Sequence, residues 1–419
     1  MAERPLIAHH RASAASGVEM MSTQVHNRLS SSRFINMCVA NWFLHIFIFA
    51  TVPLLAVLVE NLGGTPAWTG YAVLAFAVGM VIPGPFGAHL MERRSRKEVF
   101  LKAALVAGPV VTLLGYMFCV HSLESIVALQ LLQGMAFGVA QTALGTALVN
   151  DILQSKQRNR GDIIYGWAGR LGIPLGLFLG YVLLQVVTVD LAFWWTLVPC
   201  ALAFLLVAQT TVPVKAPVKV PLVTLDRFFL PSSMHLGLTM FAAPWVFGRM
   251  AGLMLNAWPC LCMALGVLAA FLVQLFVRRR MGQRGIVSFA YLLIMLALCM
   301  LPVNSFAVVS VAYGLLGFGV GAVSSRHLMD WVVSAQHCQR GTAQNTYILT
   351  WRMAFSLGFL FSACGVSDNF TVDFALCAVG LQLMFFGWGR KLVARNNRAH
   401  LALWLLPKIG CGSAIKTKF

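Results

Sequence analysis

The chain has 419 residues, 59% of them hydrophobic and only 11% charged, with a formal net charge of +18 at pH 7. Soluble globular proteins carry about 25% charged residues, so this composition cannot cover an ordinary water-facing surface. Apolar stretches of about 20 residues, each able to cross roughly 30 Å of hydrocarbon, recur from Phe34 to Lys391. They are continuous rather than alternating, which excludes a β-barrel and implies an all-α polytopic membrane protein.

Residues 1–33 are polar and basic, lack a signal peptide, and are expected to form a cytoplasmic tail. Twelve spans follow: 34–59, 68–90, 99–120, 124–149, 163–186, 190–212, 235–254, 258–277, 285–304, 306–333, 342–364 and 371–389. The intervening segments alternate in charge. Those at 60–67, 121–123, 187–189, 255–257, 305 and 365–370 hold no Lys or Arg. The others hold Arg93 to Lys97, Lys156 to Arg160, Lys215 to Arg227, Arg278 to Arg284, Arg340, and a basic tail from Arg390 to Lys418. Basic loops stay cytoplasmic on insertion, so both termini are expected inside. The positive charge is then a topology and anionic-lipid signal, and no nucleic-acid partner is needed to explain it.

The ten cysteines give no disulfide framework, most of them lying in apolar runs where a thiol acts as a small hydrophobe. No metal or other cofactor is expected: Cys260 and Cys262 are close, but no second ligand pair follows.

The proline-rich stretch from Pro213 divides the chain into a first bundle at 34–212, a cytoplasmic linker at 213–234, a second bundle at 235–389 and a cytoplasmic tail at 390–419. The halves repeat in order. At an offset of 182, Arg158, Tyr165, Arg170 and Leu175-Gly176 match Arg340, Tyr347, Arg352 and Leu357-Gly358. Phe137-Gly138-Val139 recurs as Phe318-Gly319-Val320. Parallel six-span repeats imply a pseudo-two-fold along the membrane normal, with a solute site between the bundles.

The turn after span 2 reads Ala88-His89-Leu90-Met91-Glu92-Arg93-Arg94-Ser95-Arg96-Lys97, with a partial copy at Arg279-Arg280-Met281-Gly282-Gln283-Arg284. With twelve spans in a six-plus-six layout, this resembles the major facilitator superfamily, whose signature there is Gly-x-x-x-Asp-Arg-x-Gly-Arg-Lys/Arg. The acid and three basic positions match; the first Gly is shifted to Gly87 and the second is Ser95. Span 4 reads Gln130-Leu131-Leu132-Gln133-Gly134, without the Arg that the family often has ahead of such a Gln-Gly. Gly172, Pro174, Gly176 and Gly180 form a loose version of the antiporter motif of span 5. The resemblance covers about 34–391 and implies a secondary transporter working by alternating access on a small-molecule substrate. It is expected as a monomer in the lipid bilayer, in the bacterial cytoplasmic (inner) membrane.

Glu92, Arg93, Arg96, Lys97, Arg279 and Arg284 are candidates for a cytoplasmic gate, Glu92 facing the positive N-terminal end of span 11, or else for a topology signal alone. Polar groups inside spans are costly and are site candidates by default. Asn41 and His45 lie one turn apart in span 1, and His45 is a proton-coupling group, a solute contact, or a neutral ring bonded to a neighbouring helix. Gln133 and Gln141 line the cavity or pack beside Gly134, Gly138 and Gly145. Arg170 and Arg352 occupy equivalent places in the repeats, where they hold a carboxylate-bearing solute or snorkel and brace their bundles. Arg249 lines an outer vestibule or, the favoured reading, snorkels to the outer headgroups. Arg326 and Asp330, one turn apart, suit a local ion pair.

No Asp or Glu sits in mid-span, so a proton, if coupled, must use His45 or the solute itself. The primary expectation is efflux of an amphipathic compound or drug, with uptake of an organic anion second and a non-transporting sensor or scaffold third. No phosphate loop, His-Glu-x-x-His or Gly-x-Ser-x-Gly motif suggests a pump or an enzyme.

Overall fold

The computed structural model describes residues 29–115, 122–153, 157–212, 220–225, 228–254, 256–277, 283–303, 305–336, 339–365 and 370–385. Among these residues every regular element is helical. That follows from the setting: hydrocarbon offers backbone N–H and C=O groups no partner, so each segment must satisfy its own.

The first half contains α1 (Ser32–Asn61), α2 (Pro66–Val81), α3 (Gly84–Arg93), α4 (Arg96–Gly115), α5 (Leu123–Gln141), a π-helical stretch (Thr142–Leu148), α6 (Val149–Ile152), α7 (Arg158–Val186) and α8 (Val189–Gln209). The second half contains α9 (Met234–Met240), α10 (Ala242–Leu253), α11 (Ala257–Val277), α12 (Gln283–Met300), α13 (Phe306–Ser334), α14 (Arg340–Ala363) and α15 (Thr371–Phe385). Each of the twelve expected intervals coincides with one helix or a broken one. Seven helices are individually long and apolar enough to cross a membrane, and α2 with α3 makes an eighth, bent by 49°. The others fall short for visible reasons. α4 begins with Arg96, Lys97 and Glu98; α9 and α10 break at Phe241; α14 carries Gln344, Asn345, Thr346 and Arg352; and α15 is described over only 15 residues.

The packing repeats as the sequence does. α1 lies against α7 as α10 lies against α14; α2 lies against α5 as α11 lies against α13. The two bundles meet where α2 touches α14 and where α7 touches α11, contacts that the pseudo-two-fold exchanges. Small residues set these distances. A Cβ on Gly176 would meet the Ile46 carbonyl oxygen at 2.8 Å, and one on its repeat partner Gly358 would meet that of Trp245 at 2.1 Å. Gly134 and Gly138 likewise press on the backbone of Phe76 and Met80, so this Gly-x-x-x-Gly face is a helix-packing seam.

One end of the molecule carries the basic turns. There Arg96 joins two carboxylates, donating to Asp151 at 2.5 Å and to Glu92 at 3.1 Å. Lys97 Nζ caps the last carbonyls of α8, donating to Ala208 and Thr210. The linker crosses the same end as a strap. The Thr224 amide donates to Pro85 O at 2.9 Å, and the Phe228 ring lies on Gly84, where a Cβ would come within 1.8 Å of it. On the other bundle, Asn345 Nδ2 donates to Phe228 O at 3.1 Å and the Leu230 amide to Thr346 Oγ1 at 2.9 Å. A segment expected to run extended through water is thus docked on α3 and α14.

Candidate functional site: a cavity between the bundles

A cavity of about 50 Å³ lies between α1, the end of α5 and α7 on one side and α13 and α14 on the other. It has room for a few waters. Asn41, His45, Gln141, Arg170 and Arg352 line it together, from four helices: α1, α5, α7 and α14. So do Tyr165 and Tyr347, which the repeat alignment had paired, and Gln344, which sequence reasoning missed. Gln344 lies one turn before Tyr347 near the start of α14, and its repeat counterpart Asp162 is a different residue type that does not line the cavity.

Arg170 is fixed by its Nε, which donates to Gly166 O one turn back at 3.1 Å, and its guanidinium lies 4.9 Å from the Trp167 ring. Both of its terminal nitrogens are buried, and among the described residues the Tyr347 hydroxyl is the one polar group that faces them. Arg352 stacks 4.5 Å over Phe49 and 5.3 Å from Phe137, and its Nη1 is also buried and unbonded. Neither side chain snorkels: exposure is 7% for Arg170 and 3% for Arg352. No Asp or Glu is among the residues lining the cavity. Cation–π contact contributes roughly 2 kcal/mol or more when desolvated, far less than a buried guanidinium loses on leaving water. The site therefore holds two positive charges with no protein counter-ion on its walls.

The neutral groups are half-satisfied. Asn41 Nδ2 donates to Tyr165 O at 2.9 Å and Gln141 Nε2 to Tyr165 Oη at 3.1 Å, while Asn41 Oδ1, Gln141 Oε1 and Gln344 Oε1 stay unbonded. His45 Nδ1 faces its own helix, 2.8 Å from Asn41 O, so that nitrogen carries the proton and the ring is held by α1 rather than by a neighbour. The Tyr347 hydroxyl donates to Ser324 O at 2.9 Å. The π-helical stretch begins one residue after Gln141; within it Gly145 gives the Tyr165 ring its place, and Thr142 Oγ1 reaches Asn345 across the bundle interface at 3.2 Å.

The other candidates lie elsewhere. Gln133 accepts from Gln130 at 2.8 Å within α5 and does not line this cavity. Arg249 does not reach headgroups: it is fully buried and ion-paired with Asp373, whose other oxygen accepts from Trp245 Nε1 at 3.0 Å. Asp373 was missed because it opens the last span and reads as an end residue. Arg326 Nη2 lies 3.4 Å from Asp330 Oδ1. Of the gate candidates, Arg93 is exposed, Arg279 lies outside the described residues, and Arg284 falls in the first turn of α12. Glu92 is engaged with Arg96, and the extensive contact with α14 is made by α2, beyond the bend, not by α3.

Residues 37–363 match the family described as the Major Facilitator Superfamily. The chain belongs to that superfamily. As one of its members it is an integral membrane protein and a secondary transporter that binds small molecules. Solved superfamily structures superpose over most of the chain. The human organic anion transporter MFSD10 (TETRAN) has a TM-score of 0.63 at 19% identity, over 85% of this chain and all of that one. The nucleoside transporter NupG has a TM-score of 0.59 at 12% identity, over 87% and 99%. At these identities the likeness is one of fold. No curated protein sequence matches the chain significantly.

Proposed function

We propose that this protein carries a small organic anion between the two faces of the membrane by alternating access. The observation that carries the reading is the pair Arg170 and Arg352: two buried guanidinium groups, one from each repeat, with too few acceptors for their N–H groups and no carboxylate on the cavity wall. A carboxylate, phosphate or sulfonate supplies both the acceptors and the missing charge, and Arg binds such groups through paired N–H donors. Because one Arg belongs to each bundle, the anion draws the bundles together over itself. Binding energy is thereby converted into closure, and release follows when one end opens.

The aromatic groups around the guanidinium pair also suit a solute with an apolar portion, so the amphipathic-efflux expectation and the organic-anion expectation describe one kind of substrate. The direction of net movement is set by gradients. The Nδ1–H bond to its own helix orients the His45 ring and leaves Nε2 as the nitrogen able to accept a proton or a solute donor.

The test is counterflow in proteoliposomes loaded with a panel of unlabelled organic anions, cations and neutral solutes. Saturable counterflow confined to anions, and lost in Arg170→Gln and Arg352→Gln, is the expected result. Counterflow of cations or neutral solutes that is indifferent to both substitutions overturns the reading, and absence of counterflow with any bound ligand indicates a sensor or scaffold.

A further inference from the structure

Resting on the anion reading, the geometry points to a second, apolar subsite: the solute carries its charge at one end only, and its hydrocarbon or aryl remainder enters a chamber that has Arg352 as a shared wall. This chamber is lined by Ile48, Phe49, Val52, Val73, Phe76 and Phe355, and Arg352 is the one charged residue among its lining groups. Arg352 also lines the polar cavity, so a carboxylate on its guanidinium sits at the boundary of a polar and an apolar space.

Three observations give the solute its direction. The guanidinium carbon lies 4.5 Å from the centre of the Phe49 ring, so a group bonded to this guanidinium has that aromatic ring within reach. The polar cavity is edged with the unbonded oxygens of Asn41, Gln141 and Gln344; an apolar tail turned that way would strip them of water and return nothing. The apolar chamber carries few polar groups to desolvate: Ser356, and Gln130, whose amide nitrogen is already committed to Gln133.

The chamber is contracted to about 20 Å³ here. Its walls come from both bundles: α1 and α2 on one side, α14 on the other. Phe49 and Phe355 close it edge to face across the interface, with ring centroids 5.4 Å apart. Rocking the bundles apart separates those two rings and lengthens the chamber. A second charge at the far end of the solute would be left among aliphatic and aromatic groups without a partner, which excludes α,ω-dianions.

The experiment uses the full-length protein in nanodiscs and measures binding of straight-chain carboxylates from propionate to octanoate. Alkylammonium ions of equal length report simple lipid partitioning, and α,ω-dicarboxylates report the charge rule. The expected result is a gain of roughly fourfold in affinity per added methylene, the value for transfer of a CH₂ group out of water. The gain is absent for dicarboxylates, and it collapses in Val73→Trp, which fills the chamber. Phe355→Ala, which enlarges it, moves the optimum to longer chains and guards against misfolding of the Trp variant. Propionate binding without a length-dependent gain, or a gain equal in wild type and both variants, overturns the subsite while leaving the anion reading intact. Failure of the carboxylates and of alkyl phosphates and sulfonates of the same lengths to bind overturns the anion reading itself.

Discussion

The buried pair Arg249 and Asp373 allows a sharp test of how this fold tolerates charge. Both side chains have no exposed surface, the carboxylate also takes the Trp245 indole N–H, and the guanidinium lies 5.2 Å from the Phe361 ring and 5.1 Å from the Phe370 ring. Arg249→Met leaves an ionised or newly protonated Asp373 in an apolar setting and should cost about 3–5 kcal/mol. Asp373→Leu removes the counter-ion of the guanidinium at a similar cost, and also leaves Trp245 Nε1–H without its acceptor, adding about 1–3 kcal/mol. If the pair is a matched charge, the double variant Arg249→Met/Asp373→Leu loses both charges and with them the cost of burying an unmatched one, while the Trp245 deficit stays. Its stability then lies above that of either single variant, whereas independent effects would sum to roughly 7 kcal/mol or more. The assay is the temperature at which detergent-solubilised protein loses its monodisperse peak on size exclusion, read for the four members of the cycle. The expected order is wild type, then the double variant, then the two singles. A double variant less stable than both singles would falsify the charge-matching argument and assign the cost to lost packing instead.

Three further outcomes follow from other parts of the structure. Arg352→Lys should retain some affinity for a short carboxylate, while Arg352→Gln should lose tenfold or more in titration calorimetry, since a charge-assisted bond contributes about 1.5–3 kcal/mol; equal affinity in all three proteins removes Arg352 from binding. Gly358→Val should lower the yield of folded protein more than Gly176→Val, because its first added carbon would lie 2.1 Å rather than 2.8 Å from a carbonyl oxygen; fluorescence-detected size exclusion of tagged variants measures this, and the reverse order refutes it. Phe228→Ala should speed reaction of a single cysteine placed at Leu328, a cavity-lining position, with an impermeant thiol reagent applied to the face bearing the basic turns; an unchanged rate means that the strap does not cover the cavity.

Much of this architecture is legible in the sequence because hydrocarbon imposes simple rules. Span positions follow from apolar length, and the two-bundle organisation follows from residues repeated at a constant offset. Arg170 and Arg352 stand out because a charge in a span is expensive and the same charge twice, at symmetric places, is conspicuous. What the sequence hides depends on which face of a helix meets which neighbour. Asp373 and Arg249 are 124 residues apart with no repeat relating them, so neither announces the other. The π-helical register after Gln141, packed around Tyr165, has no periodicity of its own, whereas the bend between Val81 and Gly84 falls at Pro83-Gly84-Pro85, a helix break that the sequence does announce. The linker reads as solvated because its prolines and lysines suit water, yet Phe228 and Leu230 are its buried anchors.

Those anchors have a mechanical result. A tether held at Pro85 on one half and at Asn345 and Thr346 on the other has little slack between its fastenings, and so limits the stroke through which the halves can swing. Extra residues inserted at 213–219, ahead of the first fastening, should leave that travel unaltered. The same insertion between Leu225 and Phe228 lies between the fastenings, and lengthens the travel.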